Sequence, residues 1–205
     1  MNRFILAVML GLAFNTAAQA QVIGDADAGS AKTVVCAACH GSDGNAMLVP
    51  GAAKLGGQHE KYLLKQLQEI KNGDRPIPLM AGQLTNLNDQ DLADIAAYYA
   101  AQETPLGVAQ EAALDLGQSL YRAGNPDIGV AACSACHSPT GAGNAGAGYP
   151  ALSGQDSGYT ETQLRAFRDG SRNNDVSEVM RSLVGRLNDM EIQALASYVS
   201  GLRSE

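Results

Sequence analysis

One pentapeptide pattern occurs twice in this chain of 205 residues and takes up all four of its cysteines. Residues 36–40 read CAACH and residues 133–137 read CSACH, so both have the form C-x-x-C-H. Positions i, i+3 and i+4 share one face of a helix, so each motif would present two thiols and one imidazole together. This is the attachment pattern of c-type haem. The predicted attachment residues are Cys36, Cys39, Cys133 and Cys136, and the predicted iron ligands are His40 and His137.

The alternatives for these cysteines are a disulfide and a zinc site. A redox-active C-x-x-C does not need a following histidine, and structural zinc needs further Cys or His ligands. Only His59 remains outside the two motifs. We therefore predict two covalent haems, held by thioether bonds.

The first 20 residues have the pattern of a secretory signal peptide. Arg3 supplies the positive start, residues 4–14 form an apolar run, and Ala18-Gln19-Ala20 is a small-residue cleavage site. The run is too short to span a membrane, although an uncleaved anchor is the alternative. We expect cleavage after Ala20 and export to the periplasm, outside the cytoplasm, where bacteria attach c-type haem.

The charge of the chain argues against a nucleic-acid partner. Its formal net charge is −7, from 14 basic and 21 acidic residues, and no basic stripe is present to displace phosphate counterions. The lysines all lie in the first half, whereas the second half uses only arginine. They are either part of a solvated surface or a docking contact for an acidic redox partner. These lysines are Lys32, Lys54, Lys61, Lys65 and Lys71.

The sequence is an internal duplication. A shift of 97 residues superimposes the two pentapeptides and a set of later positions, and after Arg172 three inserted residues change the shift to 100. A period of this length indicates two complete domains. We predict a signal peptide at 1–20, a first domain at 21–104, a linker at 105–110 and a second domain at 111–205. The matched later pairs include Leu55/Leu152, Gln58/Gln155, Tyr62/Tyr159, Gln66/Gln163, Arg75/Arg172, Met80/Met180 and Tyr98/Tyr198.

Both repeats predict an all-α fold in which a few helices pack around a covalent haem. In each, a short helix ends at the pentapeptide, a glycine-rich loop and a second helix follow, and a loop carries a methionine. The last helix starts at a capping box, Asn88 to Asp91 or Asn188 to Glu191. Its apolar stripe should be buried. The stripe residues are Leu92, Ile95 and Tyr99 in one repeat and Ile192, Leu195 and Val199 in the other.

Met80 and Met180 are the predicted second iron ligands. Thioether sulfur raises the potential of a haem in an electron carrier. These two methionines are matched by the repeat and follow their histidines by 40 and 43 residues. Met47 is close to His40 in sequence, and Met190 has no methionine partner in the first repeat. His59 is the other candidate, interpreted as an exposed residue at a helix start.

Four further matched residues have two open interpretations. Tyr62, Tyr159, Arg75 and Arg172 either donate hydrogen bonds to haem propionates, since arginine pairs well with carboxylates, or serve as core tyrosines and solvated arginines.

The mature chain resembles the cytochrome c4 family over its whole length. The resemblance rests on both C-x-x-C-H motifs, on Leu-x-Gly-Gln-x-x-x-Tyr in each half, on Arg75 and Arg172 before the methionines, and on the Leu-Asn-Asp helix starts. It implies two class I cytochrome c domains, His–Met ligation at each iron, and electron transfer in the periplasm, often to a terminal oxidase. The family also has a proline whose carbonyl binds the proximal histidine. Pro150 matches it, whereas the first half has Ala53.

Three functions remain open. The leading one is an electron carrier without a substrate of its own, working between a quinol-oxidising complex or other donor and a terminal oxidase. The second is the haem-bearing subunit of a dehydrogenase, such as a flavin-dependent sulfide dehydrogenase. The third is a di-haem peroxidase, which needs one iron that can open and usually extra histidines.

Overall fold

The computed structural model describes residues 22–203, so the signal-peptide prediction for 1–20 lies outside the described residues. Within 22–203 the regular structure is helical, with two isolated β-bridges in the second half and no strand. The first half contains α1 (Ala26–Lys32), α2 (Ala37–His40), α3 (Glu60–Asn72) and α4 (Asp89–Ala100). The second half contains α5 (Glu111–Ala123), α6 (Ser134–His137), α7 (Ser157–Asp169), α8 (Val179–Val184) and α9 (Asp189–Gly201).

The same helix pair forms the base of each domain. In the first domain α1 packs on α4, and in the second α5 packs on α9. A glycine permits each close approach. A Cβ atom on Gly29 would lie 2.0 Å from the Asp94 carbonyl oxygen, and one on Gly117 would lie 2.3 Å from that of Ala194. Both predicted all-α domains are therefore built on one plan.

The last helix of each domain confirms the prediction from the sequence. Asn88 and Asp91 form a capping box at the start of α4, and Asn188 and Glu191 form one at the start of α9. Each box satisfies two backbone N–H groups that would otherwise lack partners. The predicted stripes are buried in both helices, at Leu92, Ile95, Tyr99, Ile192, Leu195 and Val199.

Met80 and Met180, the candidate second iron ligands, lie in helical turns, whereas a loop was predicted for both. Met80 ends a 3-10 turn, Pro78–Met80, and Met180 lies in the first turn of α8. The three inserted residues follow Arg172 and precede this helix. Asp175 holds it by accepting bonds from the backbone N–H of Arg181 at 3.0 Å and from its side-chain Nε at 2.7 Å.

The connection between the domains is extended and lies against both of them. Thr104 donates its hydroxyl to the Gly56 carbonyl at 2.6 Å, and the Gly107 N–H donates to the Ser200 carbonyl at 3.0 Å. The helices on either side end at Ala100 and begin at Glu111. The domain bounds given above stay a prediction. None of the described helices has the length and apolar character needed to cross a bilayer.

Candidate functional site

Each pentapeptide forms a single helical turn with its histidine as the last residue. In α2 the Nδ1 atom of His40 donates to the carbonyl of Ala53 at 2.9 Å. In α6 the Nδ1 atom of His137 donates to the carbonyl of Pro150 at 3.0 Å. Each bond fixes the ring and its tautomer and leaves Nε2 to bind a metal. The exchange of proline for alanine at position 53 has therefore kept the hydrogen bond.

Burial keeps both imidazoles in the form that a metal needs. Desolvation lowers the pKa of His40 and of His137, although the bond to the carbonyl opposes this in each case. The neutral ring is the ligand form of histidine. Burial also raises the pKa of the Cys36 thiol and raises that of Cys133 to about 11. The four cysteines are free thiols and are all partly buried.

The residue that follows each histidine has a positive φ angle. Gly41 has φ 76° and Ser138 has φ 67° with ψ 158°, a region in which side chains other than glycine are strained. Ser138 is held by two contacts. Its carbonyl accepts a hydrogen bond from the Tyr121 hydroxyl at 2.6 Å, and its Oγ accepts one from the Ala142 N–H at 2.9 Å.

The candidate second ligands have contrasting surroundings. Met80 and Met180 are half-buried, and Met180 packs against the main core cluster of the second domain. Met47 and Met190 are exposed. His59 is half-buried rather than exposed as expected, because its Nε2 atom bonds to the Ala142 carbonyl of the second domain at 2.8 Å.

Two glutamines join the domains through the backbone of the opposite half. The Gln58 amide accepts from the Ala151 N–H and donates to the Ala151 carbonyl, both at 2.9 Å. Gln155 makes the same pair of 2.9 Å bonds with Lys54. Gln58 and Gln155 are repeat partners, as are Lys54 and Ala151. The two domains therefore face each other about a pseudo-twofold axis.

Arginine and tyrosine side chains cross that axis reciprocally. The Nη2 atom of Arg75 donates to the Tyr159 hydroxyl at 3.0 Å and to Gln163 Oε1 at 2.9 Å. The Nη2 atom of Arg172 donates to the Tyr62 hydroxyl at 3.0 Å and to Gln66 Oε1 at 3.1 Å. Both arginines are buried, so neither is the solvated charge that was one of the two interpretations.

The arginine network carries positive charge into the domain interface. Burial opposes ionisation of Tyr62, but the guanidiniums of Arg172 and Arg75 outweigh it and lower the pKa of that phenol. The Nε atom of Arg75 is buried without a hydrogen-bond acceptor. Such an atom fits an acidic group of a cofactor, so the propionate hypothesis for these residues stays a prediction.

Three of the five lysines of the first domain bind the second domain, and a docking role for these lysines stays a prediction. Lys54 donates its Nζ to the Gly154 carbonyl at 2.7 Å, Lys61 to that of Gly146 and Lys65 to that of Asn174, both at 2.8 Å. These three ammonium groups thus bind the second domain. Lys32 pairs with Asp91 and Asp94, and Lys71 donates to the Leu87 carbonyl. The net charge of the chain does not predict these bonding partners of the lysines.

The donor set of each half fits a covalently attached haem. Two thiols and a neutral imidazole lie on one helical turn, and a half-buried methionine follows in the same domain. The Cytochrome c family model matches residues 26–101 and again residues 114–203.

Known relatives agree with this geometry. The chain is 47% identical to cytochrome c4 of Pseudomonas aeruginosa over 203 residues, which is 98% of this chain and all of the relative. The crystal structure of reduced recombinant cytochrome c4 from Pseudomonas stutzeri has a TM-score of 0.85 at 47% identity, covering 88% of this chain and all of that one. A thiosulfate dehydrogenase electron acceptor of Stutzerimonas stutzeri is 35% identical over 82% of this chain and 79% of its own length. The chain belongs to the cytochrome c4 family: it is a di-haem electron-transfer cytochrome with two covalently bound haem c groups.

Proposed function

We propose that this protein carries electrons in the periplasm, from a quinol-oxidising complex or another donor to a terminal oxidase. Cys36 and Cys39 attach haem 1, and Cys133 and Cys136 attach haem 2. The axial ligands are His40 and Met80 in the first domain and His137 and Met180 in the second. When bound, each haem supplies a one-electron redox centre.

The observation that carries the proposal is the paired histidine bond. His40 and His137 both give their Nδ1 proton to a backbone carbonyl, 13 residues later in each case. This fixes the tautomer and leaves Nε2 of each ring as the atom that would bind the iron. A methionine thioether from the same domain would supply the second ligand, and an iron with both positions filled suits electron transfer rather than turnover of a substrate.

A second candidate function has one specific observation in its favour. The similar protein of Stutzerimonas stutzeri is named for accepting electrons from thiosulfate dehydrogenase. By the same chemistry this chain would serve as the haem-bearing partner or subunit of a dehydrogenase. Purification separates the two cases, since a carrier is isolated alone and a subunit is isolated with its larger enzyme.

Mass and redox measurements on the mature protein test the proposal. We expect an intact mass that exceeds the polypeptide by two haems, and reduction by two electrons without turnover of peroxide. The variants Cys36→Ala/Cys39→Ala and Cys133→Ala/Cys136→Ala should each lose one haem. A single haem in the wild type, haem that acid acetone extracts, or rapid peroxide turnover would contradict the carrier function.

An apolar patch marks the proposed docking face of the first domain. We define it as Val34, Val35, Met47 and Leu48, which are exposed by 76%, 68%, 41% and 63%. Both segments flank α2, and the Leu48 N–H donates to the Cys39 carbonyl at 3.0 Å. Residues 33–53 contain one charged side chain, that of Asp43. The repeat positions in the second domain hold Ala131, Ala132, Asn144 and Ala145.

An uncharged apolar face suits a redox partner with a similar face, because charged residues are depleted in the centres of interfaces. We expect electron transfer to respiratory membranes to depend weakly on salt. Leu48→Lys should slow it about tenfold, which corresponds to about 1.4 kcal/mol. The control is Val176→Lys, at a valine of the second domain that is 73% exposed. Stopped-flow rates at several salt concentrations check this, and a rate that falls steeply with salt in the wild type would contradict it.

A further inference from the structure

In each domain one matched tyrosine packs against a second tyrosine, which comes from a different helix in the two domains. Tyr98 and Tyr198 are repeat partners, and each packs against a second tyrosine. In the first domain this is Tyr99 of α4, with ring centroids 5.2 Å apart, and in the second it is Tyr121 of α5, at 5.5 Å. The repeat partner of Tyr99 is Val199. The partner ring therefore belongs to the last helix, α4, in the first domain and to the first helix, α5, in the second.

Thr33 occupies the place in the first domain that Tyr121 has in the second. Gly29 and Gly117 lie at the corresponding helix crossings, since a Cβ on either would approach the Cβ of Tyr98 or Tyr198 within 2.8 Å or 2.6 Å. Thr33 follows Gly29 by four residues, and Tyr121 follows Gly117 by four. The smaller threonine leaves room that the ring of Tyr99 fills.

The hydroxyl groups of the two tyrosines have different partners. Tyr121 donates to the carbonyl of Ser138, the residue strained at φ 67°. In the first domain that position is Gly41, which adopts its φ of 76° without support. The Tyr99 hydroxyl is buried, at 1% exposure of the residue, and has no hydrogen-bond partner. A buried hydroxyl without a partner is unfavourable, so it calls for a ligand.

The surroundings of Tyr99 identify that ligand. Cys36 packs against the core cluster that contains Tyr99. The polar groups beside the Tyr99 hydroxyl are the Cys36 thiol and the Thr33 hydroxyl, and the Thr33 hydroxyl already donates to the Ser30 carbonyl at 2.9 Å. The backbone of Tyr99 is fixed, because its carbonyl accepts the Gly57 N–H at 2.9 Å. The ring is fixed as well, because a Cβ on Gly44 would lie 2.7 Å from Tyr99 Cδ1. The hydroxyl is therefore held beside the sulfur that we assign to haem 1.

We propose that the Tyr99 hydroxyl donates a hydrogen bond to the Cys36 sulfur in the haem-bearing protein and so raises the reduction potential of haem 1. A thioether sulfur accepts a hydrogen bond but cannot donate one, which matches the unused proton of Tyr99. A donor aimed at the edge of a haem stabilises the reduced form, which carries one more electron. The second domain has no counterpart, because the Tyr121 proton is bound to Ser138.

The test compares Tyr99→Phe with Tyr121→Phe in the mature protein with both haems. We expect Tyr99→Phe to lower the equilibrium constant for reduction of haem 1 about threefold, or by about 28 mV at 59 mV per tenfold for one electron. NMR contacts between each haem and its cysteines identify which potential has moved. A C–S vibration of haem 1 that shifts in heavy water should lose that shift in Tyr99→Phe. Tyr121→Phe should lower the melting temperature and leave the potential of haem 1 unchanged.

Three outcomes would overturn the proposal. One is a Tyr99→Phe variant with unchanged potentials and an unchanged or higher melting temperature, as expected for removing an unpaired hydroxyl. Another is an equal shift of haem 1 in Tyr121→Phe. The third is a C–S vibration insensitive to heavy water in the wild type. The inference rests on attachment of haem 1 at Cys36, and the intact mass tests that separately.

Discussion

Replacing Met180 by alanine is expected to open the iron of haem 2, to lower its reduction potential by roughly 100 mV or more, and to let it bind carbon monoxide. The expected shift is part of the range of about 0.8 V over which axial ligands set haem potentials. Met180 is suited to the role because it is half-buried against the core of its domain. Met80→Ala should have the same effect on haem 1. Redox titration and the spectrum under carbon monoxide measure both changes.

Met190→Ala is the matched control for these variants. Met190 lies in the first turn of α9 with 66% of its surface exposed, so its loss should change neither the potential nor the spectrum. An unchanged low-spin spectrum in the Met80→Ala/Met180→Ala variant would contradict the assignment. Met47 or His59 would then be the candidate at haem 1, although the Nε2 atom of His59 already bonds to Ala142.

Arg172→Ala is expected to lower the free energy of unfolding by about 3 kcal/mol, because it breaks a buried hydrogen-bond network. The guanidinium binds Gln163, Tyr62 and Gln66 and lies over the ring of Phe167 at 4.3 Å. Its loss leaves the Tyr62 hydroxyl without its donor, and it removes one donor each from Gln66 and Gln163, which Arg75 still binds. Two separate transitions should then replace one cooperative transition in denaturant, and the pKa of Tyr62 should rise.

Arg165→Ala provides the comparison for that variant. Arg165 pairs with Glu161 and Asp189 on the surface of the second domain, where solvent screening leaves such pairs with little effect on stability. Unfolding in denaturant gives both free energies, and ultraviolet titration of tyrosinate follows Tyr62. If Arg172→Ala cost no more than Arg165→Ala, the network would not be what holds the domains together.

Local signals in the sequence were sufficient to predict the start and the buried face of the last helix in each domain. The capping boxes at Asn88 and Asn188 depend on residues three apart, and the stripes of α4 and α9 depend on a helical period. Both are local rules, so they hold within each repeat. The histidine bond to Ala53 also survived, because every residue at that position supplies a carbonyl.

The contacts between the domains could not be predicted in this way. The repeat shows that Gln58, Tyr62 and Arg75 have partners in the second half, but a matched residue can serve its own domain or the opposite one. The number of charged residues likewise does not predict which groups Lys54 and Lys61 bind, and both donate to carbonyls of the second domain. The sequence repeat did not predict the similar packing of Tyr99 and Tyr121, because the two tyrosines are not at matched positions.

The reciprocal contacts across the pseudo-twofold axis have a consequence for assembly. Tyr62 meets Arg172 as Tyr159 meets Arg75, so this part of the contact is repeated across the axis, as in an isologous homodimer. The bonds from Lys54, Lys61 and Lys65 run only from the first domain to the second. The linker turns that association into an intramolecular event, with an effective concentration on the order of millimolar. If the connection were cut, either half could pair with the other half or with a copy of itself. The covalent tether, together with the lysine bonds that only the first domain can donate, ensures that two different haem domains meet.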